Sequence, residues 1–318
     1  MALRIIYYGN CWMTNLGEAF IDIGAMELLK QALPDSEIIF LTPMSKYYNN
    51  ALRIKSENEK SSRAECMKNA AHLGLYMKAD MLVMSGMFAT EDYLINGSAT
   101  YWIDDFLMTH PDVKVLFMGL GGQNYDQQEI TSFANYIKTK INLLGFISRD
   151  NEAYTAYSNI IDCCYPGIDC AYFVKDAYNP SGYADKEYIV STFNYMAEPE
   201  ILRKCTVDVI RAQHMFYSAS YREEIKNIFI SDAPYDYLSL YANAKEVHTD
   251  LVHATIVSLA YGIKVKYYYE SKRALAFAAA GAVKNNDGYI YLPDEILTDN
   301  KNKMINTVNK IVRDEFNI

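Results

Sequence analysis

A chain of 318 residues is long enough for about two domains, each burying its own core. Its 51% hydrophobic and 22% charged residues rule out a disordered or fibrous protein. A net charge of -9 with no basic run argues against nucleic acid or anionic lipid as a partner. Tyrosine contributes 28 residues against 13 Phe and 2 Trp, and its apolar face with a hydroxyl suits sugar recognition as well as half-buried packing.

In chain order, short runs rich in Ile, Val and Tyr alternate with helical periodicity, the pattern of βαβ units and parallel sheets. Arg4–Gly9 reads as a strand, followed by a polar loop and a helix from Glu18 to Leu33 that stops before Pro34. Glu37–Leu41 is the next strand, and Ser56–Arg63 is a charged loop or solvated helical face. Asp80–Ser85, Lys114–Gly119 and Gly145–Ser148 read as buried strands. Asp169–Lys186, mixing Asn, Pro, Ser, Gly and Asp, reads as a linker. Beyond it come a strand at Glu187–Thr192, a helix at Pro199–His214 and a strand at Asn227–Ile230. A helix at Pro234–Ala244, a strand at Glu246–His248 and a helix at Asp250–Tyr261 closed by Gly262 follow. The strand Lys264–Tyr269 and an amphipathic helix at Lys301–Phe316 end the chain. The expected fold is α/β, with two Rossmann-like domains (1–172 and 186–318) facing across a cleft and a C-terminal helix. Ligands of such sheets bind beyond the carboxyl ends of the strands.

No apolar run reaches about 18 residues, and Leu3–Tyr8 is too short for a signal peptide, so a cytoplasmic protein without a transmembrane segment is expected. The six cysteines include no C-x-x-C, and the five histidines lack ligand spacing; reduced thiols, no metal and no cofactor are expected.

Four loops carry residues suited to chemistry. Asn10–Glu18 joins the first strand to the first helix, where Asn15 and Gly17 tolerate unusual backbone angles and Glu18 matches the helix dipole. Gly119-Leu120-Gly121-Gly122-Gln123 follows a strand but is no dinucleotide fingerprint, since Asn124 stands where a third glycine would fall. Ser148-Arg149-Asp150 ends a strand with a guanidinium fork for carboxylate or phosphate, or equally a structural Arg–Asp pair. In Thr249-Asp250-Leu251-Val252-His253-Ala254, an N-cap at Thr249 or Asp250 puts His253 in the first helical turn. The dipole there favours a neutral imidazole able to act as a base. Lys272 and Arg273 could add cations, or be a solvated pair.

Taken together and in order, these segments resemble the polysaccharide pyruvyl transferase family. Asn15-Leu16-Gly17-Glu18 is similar to its early Asn-x-Gly-Asp element, and Asp80–Gly86 to its acidic strand and Gly-rich loop. Gly119–Gln123, Ser148–Asp150 and Gly167–Ala171 follow at suitable spacing. Asp250–Ala254 with Ala260–Val265 is similar to its Arg-Leu-His-Ala helix and the Gly-x-Pro-Val strand after it. The resemblance implies a GT-B-like fold and transfer of pyruvate from phosphoenolpyruvate onto two hydroxyls of a glycan, in exopolysaccharide biosynthesis. It implies His253 and Arg149 as the catalytic and anion-binding residues, with Asn15, Gly17 and Gly121 lining the cleft; Glu18, Gln123, Lys272 and Arg273 are further substrate-binding candidates from their own loops. Peripheral contact with a lipid-linked glycan is compatible with it, and the oligomeric state is open. Three positions depart from the family pattern: Leu251 replaces an Arg, Glu18 an Asp, and Gly86-Met87-Phe88 a glycine cluster. Lys272 or Arg273 then substitutes for the Arg, or the donor is a nucleotide-sugar, or the chain is a non-catalytic glycan-binding or assembly protein.

Overall fold

The computed structural model describes residues 2–9, 16–41, 73–90, 103–214, 226–231 and 233–318. In chain order the elements are β1 (Arg4–Tyr8), α1 (Leu16–Ala32), β2 (Glu37–Leu41), β3 (Met81–Ser85), α2 (Ile103–Thr109) and β4 (Lys114–Leu120). Next come α3 (Gln127–Lys140), β5 (Leu143–Ser148), α4 (Asn151–Tyr157), β6 (Cys164–Tyr165), α5 (Val174–Ala177) and β7 (Tyr188–Thr192). Then α6 (Glu200–Arg203), β8 (Asp208–Ala212), β9 (Ile228–Phe229), α7 (Pro234–Ala242), β10 (Glu246–Thr249), α8 (Val252–Ala260) and β11 (Val265–Tyr267) follow. The chain closes with α9 (Leu275–Ala279), β12 (Val283–Lys284), β13 (Ile290–Tyr291) and α10 (Asp294–Phe316). It forms two compact units: one gathers the described residues of 1–12, 29–169 and 304–318, the other those of 13–28 and 170–303.

The first unit is a parallel sheet in the order β2-β1-β3-β4-β5-β6. All of β3 and nearly all of β4 and β5 are buried, as expected of strands covered on both faces. Phe106, Phe117, Phe133, Phe146 and Tyr157 build much of the core on one side. The chain leaves β1 for β2 on one side and resumes at β3 on the other, so the topology reverses between β1 and β3. At the amino end of β3, Asp80 accepts two hydrogen bonds from Arg4, one from its backbone N–H and one from Nε, at 2.9 and 3.0 Å. A third bond runs from Nη2 at 2.7 Å. Asp80 therefore fastens β3 to β1 at the end away from the loops that could bind a ligand.

The second unit holds seven strands in the order β12-β13-β11-β10-β7-β8-β9. The run from β11 to β9 is parallel, and the β12–β13 hairpin adds antiparallel edge strands. Here the topology reverses between β7 and β10, which makes their carboxyl ends the place for a ligand.

Three predicted elements are corrected. The stretch Pro199–His214 is a single helical turn, α6, followed by strand β8, because the β-branched Val209 and Ile210 pair with Ile189 and Val190 of β7 while Arg211 and Ala212 pair with β9. The expected linker begins with a 3₁₀ turn at Cys170–Phe173 running into α5, and Cys170 to Val174 are wholly buried, so their apolar side chains override the polar flanks. The last helix starts at Asp294, with Asp294 and Glu295 favourable in its first turn. Ser56–Arg63 lies outside the described residues.

Candidate functional sites in the two units

In the first unit, β5 delivers Arg149 and Asp150 from its carboxyl end, both almost fully buried. Asp150 caps α4 by accepting the Ala153 N–H at 2.7 Å, and it also accepts the Tyr125 hydroxyl at 2.9 Å. The Arg149 guanidinium lies 5.8 Å from the Phe88 ring centroid and 3.9 Å from the Asp169 carboxylate, longer than a hydrogen bond. A Cβ on Gly121 would stand 2.6 Å from Arg149 Nε, so glycine there lets the guanidinium lie against the loop backbone. Asp169, with its one carboxylate oxygen facing this cation, was not singled out as a site residue; its place directly after the Gly-Ile pair is the only sequence signal.

The Gly-rich loop after β4 does not offer an open anion cradle. The Glu129 carboxylate already accepts the N–H groups of Gln123 and Asn124, both at 2.8 Å. Gln123 is exposed, and its backbone is fixed by that carboxylate. Asn15 lies outside the described residues.

In the second unit, β10 ends at Thr249 and α8 begins at Val252. The N-cap is Leu251, which uses no side-chain bond, and not Thr249 or Asp250. Thr249 Oγ1 accepts the Leu251 N–H at 2.9 Å. Asp250 turns the other way and accepts the N–H groups of Asn194, Tyr195 and Met196 at 2.9, 2.6 and 2.8 Å. Its charge is thus absorbed by the loop after β7. His253 remains in the first turn of α8, almost fully buried, and packs on α1: a Cβ on Gly17 would be 2.3 Å from His253 Nδ1. Glu18 is half-buried beside it in the chain.

A second histidine escaped the sequence reading. His214 stands just past β8, and its Nε2 shares a hydrogen bond with the Tyr241 hydroxyl, which also bonds Thr192 Oγ1 at 3.0 Å. Phe20 of α1 meets both rings edge-on. Reading 199–214 as one helix hid the signal, a histidine directly after a buried strand. Burial, then the charge of His253, pushes the His214 pKa down from 6.5 to about 3. Between those values the unfolded chain binds a proton that the folded chain refuses. This contribution to stability is full above pH 6.5 and falls by about 1.4 kcal/mol per pH unit toward pH 3. Denaturant titrations from pH 7 to pH 4 should show that slope, and His214→Gln should flatten it.

Lys272 and Arg273 form a 3₁₀ turn after β11, Lys272 exposed and Arg273 partly covered. The Tyr267 hydroxyl has its pKa raised chiefly by burial, with Ser271 and Arg273 acting against that and Asp250 adding to it. Arg273 and Asp250 therefore act on one hydroxyl near the exit of β10. Two more of the described histidines are tied into the fold: His110 bonds the carbonyls of Phe106 and Met77, and His248 sits between Glu246 and Tyr268. Of the tyrosines near strand ends, Tyr7, Tyr8 and Tyr237 are buried, Tyr125 holds Asp150, and Tyr235 is exposed. Among the described residues, no group of three His, Cys, Asp or Glu side chains could hold a metal ion, and no helix is long and apolar enough to cross a membrane.

The family model for polysaccharide pyruvyl transferase matches residues 15–266. No curated protein matches the chain. Solved structures do. The UDP-GlcNAc 2-epimerase of Methanocaldococcus jannaschii, in complex with UDP-GlcNAc and UDP, is 12% identical over 100% of both chains, with a TM-score of 0.56. The UDP-N-acetylglucosamine 2-epimerase of Rickettsia bellii is 11% identical over 98% of this chain and 96% of its own, with a TM-score of 0.54. S. aureus MnaA, in a structure with UDP, is 12% identical over 97% and 91%, with a TM-score of 0.55. At such identities the likeness speaks for the fold, which is GT-B-like as the sequence led one to expect.

Proposed function

The chain belongs to the polysaccharide pyruvyl transferase family, and from that premise we propose that it moves pyruvate from phosphoenolpyruvate onto two hydroxyls of a glycan sugar in the cytoplasm. The observation that carries this reading is His253, a buried imidazole in the first turn of a helix at the carboxyl end of a strand beside the topological reversal.

The reaction needs little beyond proton transfer and anion binding. The methylene carbon of the enol gains a proton, and a sugar oxygen adds to the neighbouring carbon as it loses its own. The carbon–oxygen bond to phosphate then breaks, phosphate leaves with the electron pair, and the second hydroxyl adds and gives up its proton to close the ketal. His253 is suited to take the hydroxyl proton. Arg149 is suited to the charge of carboxylate or phosphate, where its fork makes paired hydrogen bonds.

Leu251 removes the cation that the family places two residues before the histidine. Arg273 is the better substitute, because it acts at the exit of β10 together with Asp250, whereas Lys272 is exposed. The loop N–H groups that take up the Asp250 charge make that neighbourhood less hostile to an anion.

Phosphate release from phosphoenolpyruvate, measured across a panel of oligosaccharide acceptors, tests this function. Release above background that depends on acceptor is expected. Arg273→Ala should raise KM for phosphoenolpyruvate about tenfold, the range for losing one charged hydrogen bond, and Lys272→Ala should leave it unchanged. Background release with every acceptor would end the proposal.

A further inference from the structure

Tyr195 and Tyr269 form an aromatic platform at the reversal point of the second sheet, and we infer that it is the stacking subsite for the acceptor sugar. Tyr195 follows β7 and Tyr269 follows β11, the two strands that flank β10 and run parallel to it. The rings meet with centroids 5.2 Å apart and planes 25° from parallel. This pairing takes them to the exit of β10, the strand that leads into Asp250 and the helix bearing His253.

The pair is built and held, not left over. Asp250, itself buried, fixes the backbone of Asn194, Tyr195 and Met196 through three N–H groups. The Asp250 N–H donates to the Thr192 carbonyl at 3.3 Å, and the Tyr268 N–H to the Thr249 carbonyl at 2.9 Å, tying both loops to β10. Beside it Phe193 meets Tyr268 edge-on, a second aromatic contact between the same two loops. Yet Tyr195 remains 59% exposed and Tyr269 39%, with Met196 at 45% beside them. Rigid loops that keep large rings in water forgo the gain of burying them, and they do so at the place where a parallel sheet binds its ligand.

The chemistry of the surface selects a pyranose. Two tyrosines offer an apolar face for a sugar's C–H groups and hydroxyls at the rim for its oxygens. The two tyrosine rings carry no positive charge of their own, so phosphate or carboxylate is not what they would hold. The inference rests on the reading above only for the identity of the substrate as a glycan. It adds a place for that glycan next to His253, on residues distinct from those offered to the donor.

The test is saturation-transfer NMR on the full chain with methyl pyranosides of galactose, glucose, mannose and N-acetylmannosamine. At least one should receive magnetisation at its ring C–H protons. Tyr195→Ala and Tyr269→Ala should each weaken that binding about fivefold or more, in line with the worth of aromatic contacts, while Tyr195→Phe keeps it. Both side chains are exposed, and a thermal melt confirms that the variants fold. Transfer to none of the pyranosides, or transfer that survives in the double alanine variant, overturns the subsite. If sugar binding depends on the tyrosines while phosphate is never released, the subsite stands and pyruvyl transfer falls. If phosphate is released and KM for the acceptor ignores both tyrosines, the subsite falls alone.

Discussion

His253→Ala should lower kcat for pyruvyl transfer by about 10²–10⁴, the range for removing a positioned general base, with little change in thermal stability. The imidazole lies in the first turn of α8, against Gly17 of α1, so the loss should fall on kcat far more than on Tm. The same geometry makes a second substitution informative. An alanine at Gly17 places its methyl 2.3 Å from Nδ1, too close to coexist, so the ring must move. Gly17→Ala should therefore lose most of the activity while adding about 0.5–1 kcal/mol of helix stability. In the His253→Ala background it should cost no further activity, since the ring it displaces is gone. Such strong non-additivity is the signature of two residues acting at one place. Independent, multiplying losses would mean that Gly17 serves some other contact.

Gly24→Ala should be among the most damaging single methyl additions in the protein. Gly24 lies in the middle of α1, where alanine alone would favour the helix by about 1 kcal/mol. Here the added Cβ would sit 1.9 Å from the Cys170 carbonyl oxygen and 2.8 Å from its carbon. Those are backbone atoms of the buried 3₁₀ turn Cys170–Phe173, so no side chain can rotate away. Forcing the helix off this turn should cost about 3 kcal/mol, for a net loss near 2 kcal/mol and a fall in Tm of about 4–8 °C. A rise in Tm would show that α1 and the turn do not pack backbone to backbone.

Much of this was legible in the sequence, and the parts that were not share a cause. Local pattern marked β1, β3, β4 and β7 because buried parallel strands read as continuous apolar runs. The order of short motifs marked the family. What failed depended on partners distant in the chain. Nothing near Asp250 says that its carboxylate will hold the backbone 54 to 56 residues earlier, so it reads as a helix cap. Val207 to Ile210 suit helix or strand until β7 and β9 are beside them, and the wrong choice hid His214. Tyr267 to Tyr269 read as a packed strand, yet β11 ends at Tyr267 and leaves Tyr269 in the loop. Asp80 read as the acidic start of a buried strand, and only the register with β1 shows it tied to Arg4.

The central claim is the bond formed in the proposed reaction, and the mass of the acceptor reads it directly. After incubation with phosphoenolpyruvate, the acceptor should gain one pyruvate less one water, the signature of a ketal on two hydroxyls, and His253→Ala should abolish the gain. An acceptor that gains a hexose from a nucleotide-sugar, and nothing from phosphoenolpyruvate, would contradict the account.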